Sequence, residues 1–175
     1  MHYFHHANDY WTYQAGHCPS VANASVQGPV TDLWEGVLGG GEGPAHGRVP
    51  GSPWVCPFYQ DTNRTDGKCE YEDTVFTNYI MGVIEGHAES EAAAAAPTPL
   101  FVCWTPHTIH SPLEVPATYL SAFDFTGGRA AGGPAWDRQQ YMAMVSYMDA
   151  SIENVTTLLK SKSMWEQTLV VFSAE

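Results

Sequence analysis

Positive charge is the first thing this sequence lacks. Only 7 Lys and Arg stand against 19 Asp and Glu, a formal net charge of -12 over 175 residues. A bare phosphate backbone would be repelled by such a chain, which argues against nucleic acid as a partner. Long apolar runs are missing too. No stretch reaches the roughly 20 consecutive apolar residues that a membrane span requires, so no span is expected. The opening MHYFHHANDYW has neither the basic nor the apolar region of a signal peptide. If the protein is exported, its address is expected upstream of this sequence.

Cysteine is sparse, at four: Cys18, Cys56, Cys69 and Cys103. Three pairings are open if all are bonded. Cys56 and Cys69 flank a polar, turn-rich loop, CPFYQDTNRTDGKC, and are the pair expected to form a disulfide. Closing a ring of that size contributes about 3 kcal/mol in the chain-entropy account. Cys103 sits inside the apolar run LFVCW and reads as a buried free thiol. Three sequons, at Asn23, Asn63 and Asn154, would carry glycans in a secretory-pathway protein. Together these marks point to a lysosomal or extracellular location.

What is present organises into one unit. Residues 1–35 show no sustained period and read as irregular surface, while 36–70 form a Gly/Pro-rich, Cys-flanked loop region. From residue 73 the pattern changes. Val75, Phe76, Tyr79, Ile80, Val83 and Ile84 recur at helical spacing, which predicts a helix from Asp73 to His87 with Asp73 or Thr74 as N-cap. The segment AESEAAAAAPTP reads as a connector ended by Pro97 and Pro99. LFVCW, residues 100–104, then has the composition of a strand buried on both faces. Tyr141, Met144, Val145, Met148, Ile152, Val155 and Leu159 mark a second helix from Trp136 to Lys162. TLVVF, residues 168–172, is a further buried-type strand. Helix, strand, helix, strand over 73–175 predicts an α/β core with a right-handed crossover between parallel strands.

That order gives the segment CWTPHTIHSPLEVP its interest. Ligands of open parallel sheets bind beyond the carboxyl ends of the strands. His107 and His110 lie just past the first predicted strand, and Glu175 lies just past the second. Imidazole and carboxylate would meet at one edge.

The stretches YEDTVFTNYIMGVIEGH, PLFVCWTPHTIHSPLEVPATYL and QYMAMVSYMDASIENVTTLLKSKSMWEQTLVVFSAE, with HANDYWTY more loosely, resemble the type I sulfatases. The arylsulfatase B branch is the most similar. The resemblance implies an alkaline-phosphatase-like α/β fold, a mixed and mostly parallel sheet flanked by helices. It also implies hydrolysis of sulfate esters of sugars or aryl groups by a formylglycine nucleophile with Ca²⁺ holding the sulfate oxygens. In that pattern His110 matches the histidine that faces the sulfate and serves the leaving oxygen, a role suited to imidazole near neutral pH. His107 matches no universal catalytic position and reads as its supporting neighbour.

The departures from the pattern are specific. The family continues VVFS with x-Asp-Asn-Gly, whose Asp and Asn bind calcium, whereas here the sequence reads VVFSAE. Glu175 stands at the Asp position, one methylene longer. No Cys/Ser-x-Pro-x-Arg motif, the source of formylglycine, occurs in the sequence. The resemblance therefore implies an internal portion of a catalytic domain, inactive alone. The competing expectation is a non-catalytic remnant serving as an extracellular binding or structural module. HYFHH with His17 and Cys18 lacks a second closely spaced ligand pair, which weakens zinc as a reading.

Overall fold

A computed structural model describes residues 71–92, 94, 96, 98–127 and 132–173, together with the backbone of five short strands between residues 2 and 44. The strands form two small antiparallel sheets. In the first, β1 (His2–Tyr3), β4 (Leu33–Gly36) and β5 (Glu42–Pro44) lie in the order β1-β4-β5, with Tyr3 opposite Leu33 and Trp34 opposite Pro44. In the second, β2 (Gln14–Ala15) pairs with β3 (Val30–Thr31). The reading of 1–35 as wholly irregular is corrected to this extent. Val30, Thr31, Leu33 and Trp34 are of the β-branched, aromatic and apolar types that suit a half-covered ladder.

Two long helices dominate the rest. Helix α1 spans Glu72–Ala92, five residues beyond the predicted end, because Ala88 to Ala92 are mostly Ala and Glu, strong helix formers, and the first proline comes only at 97. Helix α3, Pro134–Ser161, starts as Pro at the first helical position dictates, after Gly133 at φ 78°. It ends with Lys162 N–H donating to the Leu158 carbonyl and Ser163 at φ 59° turning the chain aside. A short helix, α2 (Ala117–Leu120), lies against α3, and a single 3-10 turn, Trp165–Gln167, follows it.

α1 and α3 run in the same direction. Near the start of α1, Thr74 hydrogen-bonds Tyr147 across the helix pair at 2.7 Å, and further along Ile84 packs on Leu158 and Leu159. Two cores result. One joins Tyr71, Val115, Ala143, Met144 and Tyr147, with Ala143 and Met144 fully buried. The other joins Ile84, Leu158 and Leu159, with Leu100, Val155 and Trp165 packed on it. The buried line of α3 thus runs through Ala143, Met144, Tyr147, Ser151, Leu158 and Leu159, while Tyr141 and Ile152, predicted to face inward, are exposed.

Between parallel helices the chain must return, and its path is fixed at both ends. The Thr98 N–H donates to the Glu91 carboxylate at 2.8 Å, and the His107 N–H donates to Asp73 Oδ1 at 3.0 Å. From Glu72 to Glu91 a helix rises about 28 Å. About nine residues reach only about 30 Å when fully drawn out, so 98–107 must be close to extended. That is the course of a strand in a helix-strand-helix layer. Yet neither 100–104 nor 168–172 is paired into a ladder among the described residues, and both are open rather than buried: Phe101 is 89% exposed and Leu169 87% exposed, and Cys103 is an exposed free thiol. Buried-type composition needs covering neighbours to become burial, and no described residue covers these runs.

Candidate functional site

The site grows from the turn at the end of this return. His107, Thr108, Ile109 and His110 form a tight turn closed by the His110 N–H donating to the His107 carbonyl at 3.0 Å. Ile109, its third residue, sits at φ 83°. A β-branched side chain there is a steric outlier costing about 1–3 kcal/mol, a conformation glycine would take freely. Something must hold the turn against that cost.

The start of α1 does so. Asp73, 1% exposed, spends both carboxylate oxygens on the turn: Oδ1 accepts from the His107 N–H, and Oδ2 accepts from the Thr108 N–H at 2.6 Å and from the Thr108 hydroxyl. Neighbouring Glu72, equally buried, lies 3.2 Å from His107 Nδ1, which donates to it, and Phe76 sets its ring edge-on to the same imidazole at 5.4 Å. The Tyr71 hydroxyl donates to the Glu114 carbonyl at 2.9 Å, and Gln140 of α3 donates to the Leu113 carbonyl at 2.9 Å. The loop is therefore pinned on both sides of His110. Ser111–Pro112 within it is a cis peptide.

Tyr147 braces the clamp from α3. Its ring meets Tyr71 and Tyr119 edge-on at 4.9 and 5.2 Å. Burial pushes its phenol up to about 12, and the nearby Asp73 charge adds to the rise while hydrogen bonds with Thr74 and Ser151 oppose it.

His110 itself is exposed at the tip. Its Nδ1 lies 2.7 Å from the Ser111 carbonyl oxygen. A carbonyl can only accept, so Nδ1 carries a proton and, in the neutral ring, Nε2 carries the lone pair. Chemically this is a histidine whose Nε2 takes a proton from, or as imidazolium gives one to, a group arriving from solvent. His107 differs. It lies against Glu72 and Phe76 and helps line a cavity of about 270 Å³ between α1 and the return, alongside Tyr79, Val83 and Phe101.

The remaining predicted residues divide simply. Asn154 is exposed on the outer side of α3. Glu175, Asn23, Asn63, Cys56 and Cys69 lie outside the described residues, as does the Cys-flanked loop. Among the described residues no group of three or more His, Cys, Asp and Glu side chains could hold a metal ion. No described helix is long and apolar enough to cross a membrane. Asp73 was legible only as an N-cap; its true partners lie 34 and 35 residues away, and no local pattern points to them.

Comparison with known proteins agrees with the motif reading. The sulfatase family matches residues 2–174 of the chain. Arylsulfatase J of Mus musculus is 25% identical over 144 residues, covering 79% of this chain and 21% of that protein. The chain thus spans about a fifth of the length of this curated relative. No solved structure matches.

Proposed function

Because the chain belongs to the sulfatase family, we propose that it is a portion of a sulfuric ester hydrolase acting on sulfate esters of sugars or aryl groups, and that His110 faces the ester. The observation that carries this reading is the geometry of His110. An exposed imidazole stands at the end of the return from α1, its Nδ1 committed to a carbonyl and its Nε2 left to exchange a proton. As imidazolium, His110 donates from Nε2 to the ester oxygen as the sulfur–oxygen bond breaks; afterwards the neutral ring accepts a proton back.

The family's other reagents are not supplied by the described residues. Calcium needs a set of hard oxygen ligands, whereas both Asp73 oxygens are filled by N–H and O–H donors of the turn. These residues do not fit a calcium site, and no step is routed through the ion. Glu175 remains the proposed metal contact. No Cys/Ser-x-Pro-x-Arg motif is present to become formylglycine, so the nucleophile is not among these 175 residues. The same proposal includes a mostly parallel sheet joining 100–104 and 168–172, a Cys56–Cys69 disulfide, glycans at Asn23, Asn63 and Asn154, and a lysosomal or extracellular location.

The test uses the chain with p-nitrophenyl sulfate, with and without calcium. We expect no release of p-nitrophenol, and a saturable shift of the His110 ring resonances in a ¹H–¹⁵N spectrum that the parent phenol does not produce. Turnover by the chain would overturn the assignment of the nucleophile elsewhere. Equal shifts by ester and phenol, or none, would overturn the role of His110 and favour a non-catalytic module.

A further inference from the structure

Nothing in the resemblance assigns a part to Asp73, and its geometry is unusual for an acid in the first turn of a helix. Such residues ordinarily face their own helix's N–H groups. Asp73 instead accepts from the His107 N–H, the Thr108 N–H and the Thr108 hydroxyl, all from the turn ending in His110. The turn it holds is one that Ile109, at φ 83°, resists. We propose that Asp73 is a positioning residue for His110: it holds the strained turn closed, and the closed turn keeps the His110 ring against the Ser111 carbonyl as the Nδ1–H tautomer. This rests on the reading of His110 as the ester-facing group.

The chain of effects is local. With the turn closed, the His110 N–H reaches the His107 carbonyl and the imidazole Nδ1 reaches Ser111. An unconstrained neutral imidazole favours the Nε2–H form, which cannot accept a proton at Nε2. The hydrogen bond at Nδ1 reverses that preference and leaves Nε2 ready to cycle one proton. Thr108, 2% exposed, can reach no solvent in exchange for Asp73, so the clamp is not replaced by water.

The tautomer can be read without substrate, from long-range ¹H–¹⁵N correlations of the His110 ring. The wild-type chain is expected to give the Nδ1–H pattern. Asp73→Asn retains one acceptor but cannot serve both Thr108 donors, and should move the ring toward the Nε2–H pattern while far-ultraviolet circular dichroism stays helical. Adding Ile109→Gly to Asp73→Asn removes the strain that Asp73 opposes and should restore the wild-type pattern. Thr108→Val, which deletes only the hydroxyl donor, should give a smaller shift and serves if Asp73→Asn does not fold. An unchanged His110 tautomer in every folded variant, or no rescue by Ile109→Gly, overturns the proposal. The ester titration described above separates the two ideas. A tautomer that responds to Asp73 with no ester-specific shift keeps the clamp and sinks the sulfatase role; an ester-specific shift with a tautomer indifferent to Asp73 does the reverse.

Discussion

Replacing Tyr147 with Phe should make the chain less stable at neutral pH and more stable in strong alkali. At neutral pH the change deletes the 2.7 Å hydrogen bond to Thr74 but leaves the ring edges against Tyr71 and Tyr119 in place. A net loss of about 1 kcal/mol is expected from one such bond. In alkali the sign reverses. The folded phenol is pushed up to about 12 from an ordinary value of 10.0, so between those values the unfolded chain gives up its proton first. The unfolded state then binds fewer protons, and stability falls as pH rises through the window. That contribution is fully present below pH 10 and is lost toward pH 12, about 2 kcal/mol in all. The two stability curves should cross near pH 11, where the linkage loss overtakes the lost hydrogen bond, by about 1 kcal/mol each. Urea unfolding followed by circular dichroism at pH 7 to 12 measures this directly, and the other tyrosines cancel in the difference. Parallel curves across the window would refute the claim that burial holds this phenol neutral.

Other outcomes follow from packing. Met144→Ala, at a fully buried position beside Tyr71 and Tyr147, should cost about 2–5 kcal/mol in urea unfolding; a loss under about 1 kcal/mol would mean the core cluster is not formed in solution. Ile109→Gly should change stability by no more than about 1 kcal/mol, because relief at φ 83° offsets the lost apolar contact and the added chain entropy; a loss above about 3 kcal/mol would show the strain to be absent. Leu169, Val171 and Phe172 are all more than three-quarters exposed, an aggregation-prone combination. The paired change Leu169→Lys and Val171→Lys should therefore lower self-association in sedimentation velocity without reducing helicity. A wild-type chain that stays monomeric would remove the basis for that expectation.

Much of the scaffold could be read from the residue pattern, and the failures have physical causes. Helix α1 was legible because its apolar residues recur at the helical period; its extra length was not, because the alanine run looked like a linker when only its prolines were weighed. α3 was found within two residues at its start, but its inward face was misplaced. Ala143 and Ser151, both buried, carry no hydrophobic signal, whereas exposed Tyr141 and Ile152 do. Hydrophobic periodicity reports what a face could bury, not what stands opposite. The same reason separates the composition of LFVCW and TLVVF from their exposure. His110 was legible from its place after the apolar run. Its clamp was not, since Asp73 and Thr108 are joined only by the tertiary fold and a left-handed isoleucine has no sequence mark.

The return of the chain along α1 also has a consequence for how this region can change in length. Helix and return are tied together at Glu91 with Thr98 and again at Asp73 with His107, like a strut and its stay. One residue added to the strut lengthens it by about 1.5 Å, whereas one added to the stay lengthens it by about 3.3 Å. Insertions inside the tied span keep His110 at the head of α1 only in a ratio near two helix residues to one return residue. Residues 93–97, outside both ties, can grow or shrink without moving the histidine at all, and a run of alanines is the kind of sequence in which such drift would accumulate.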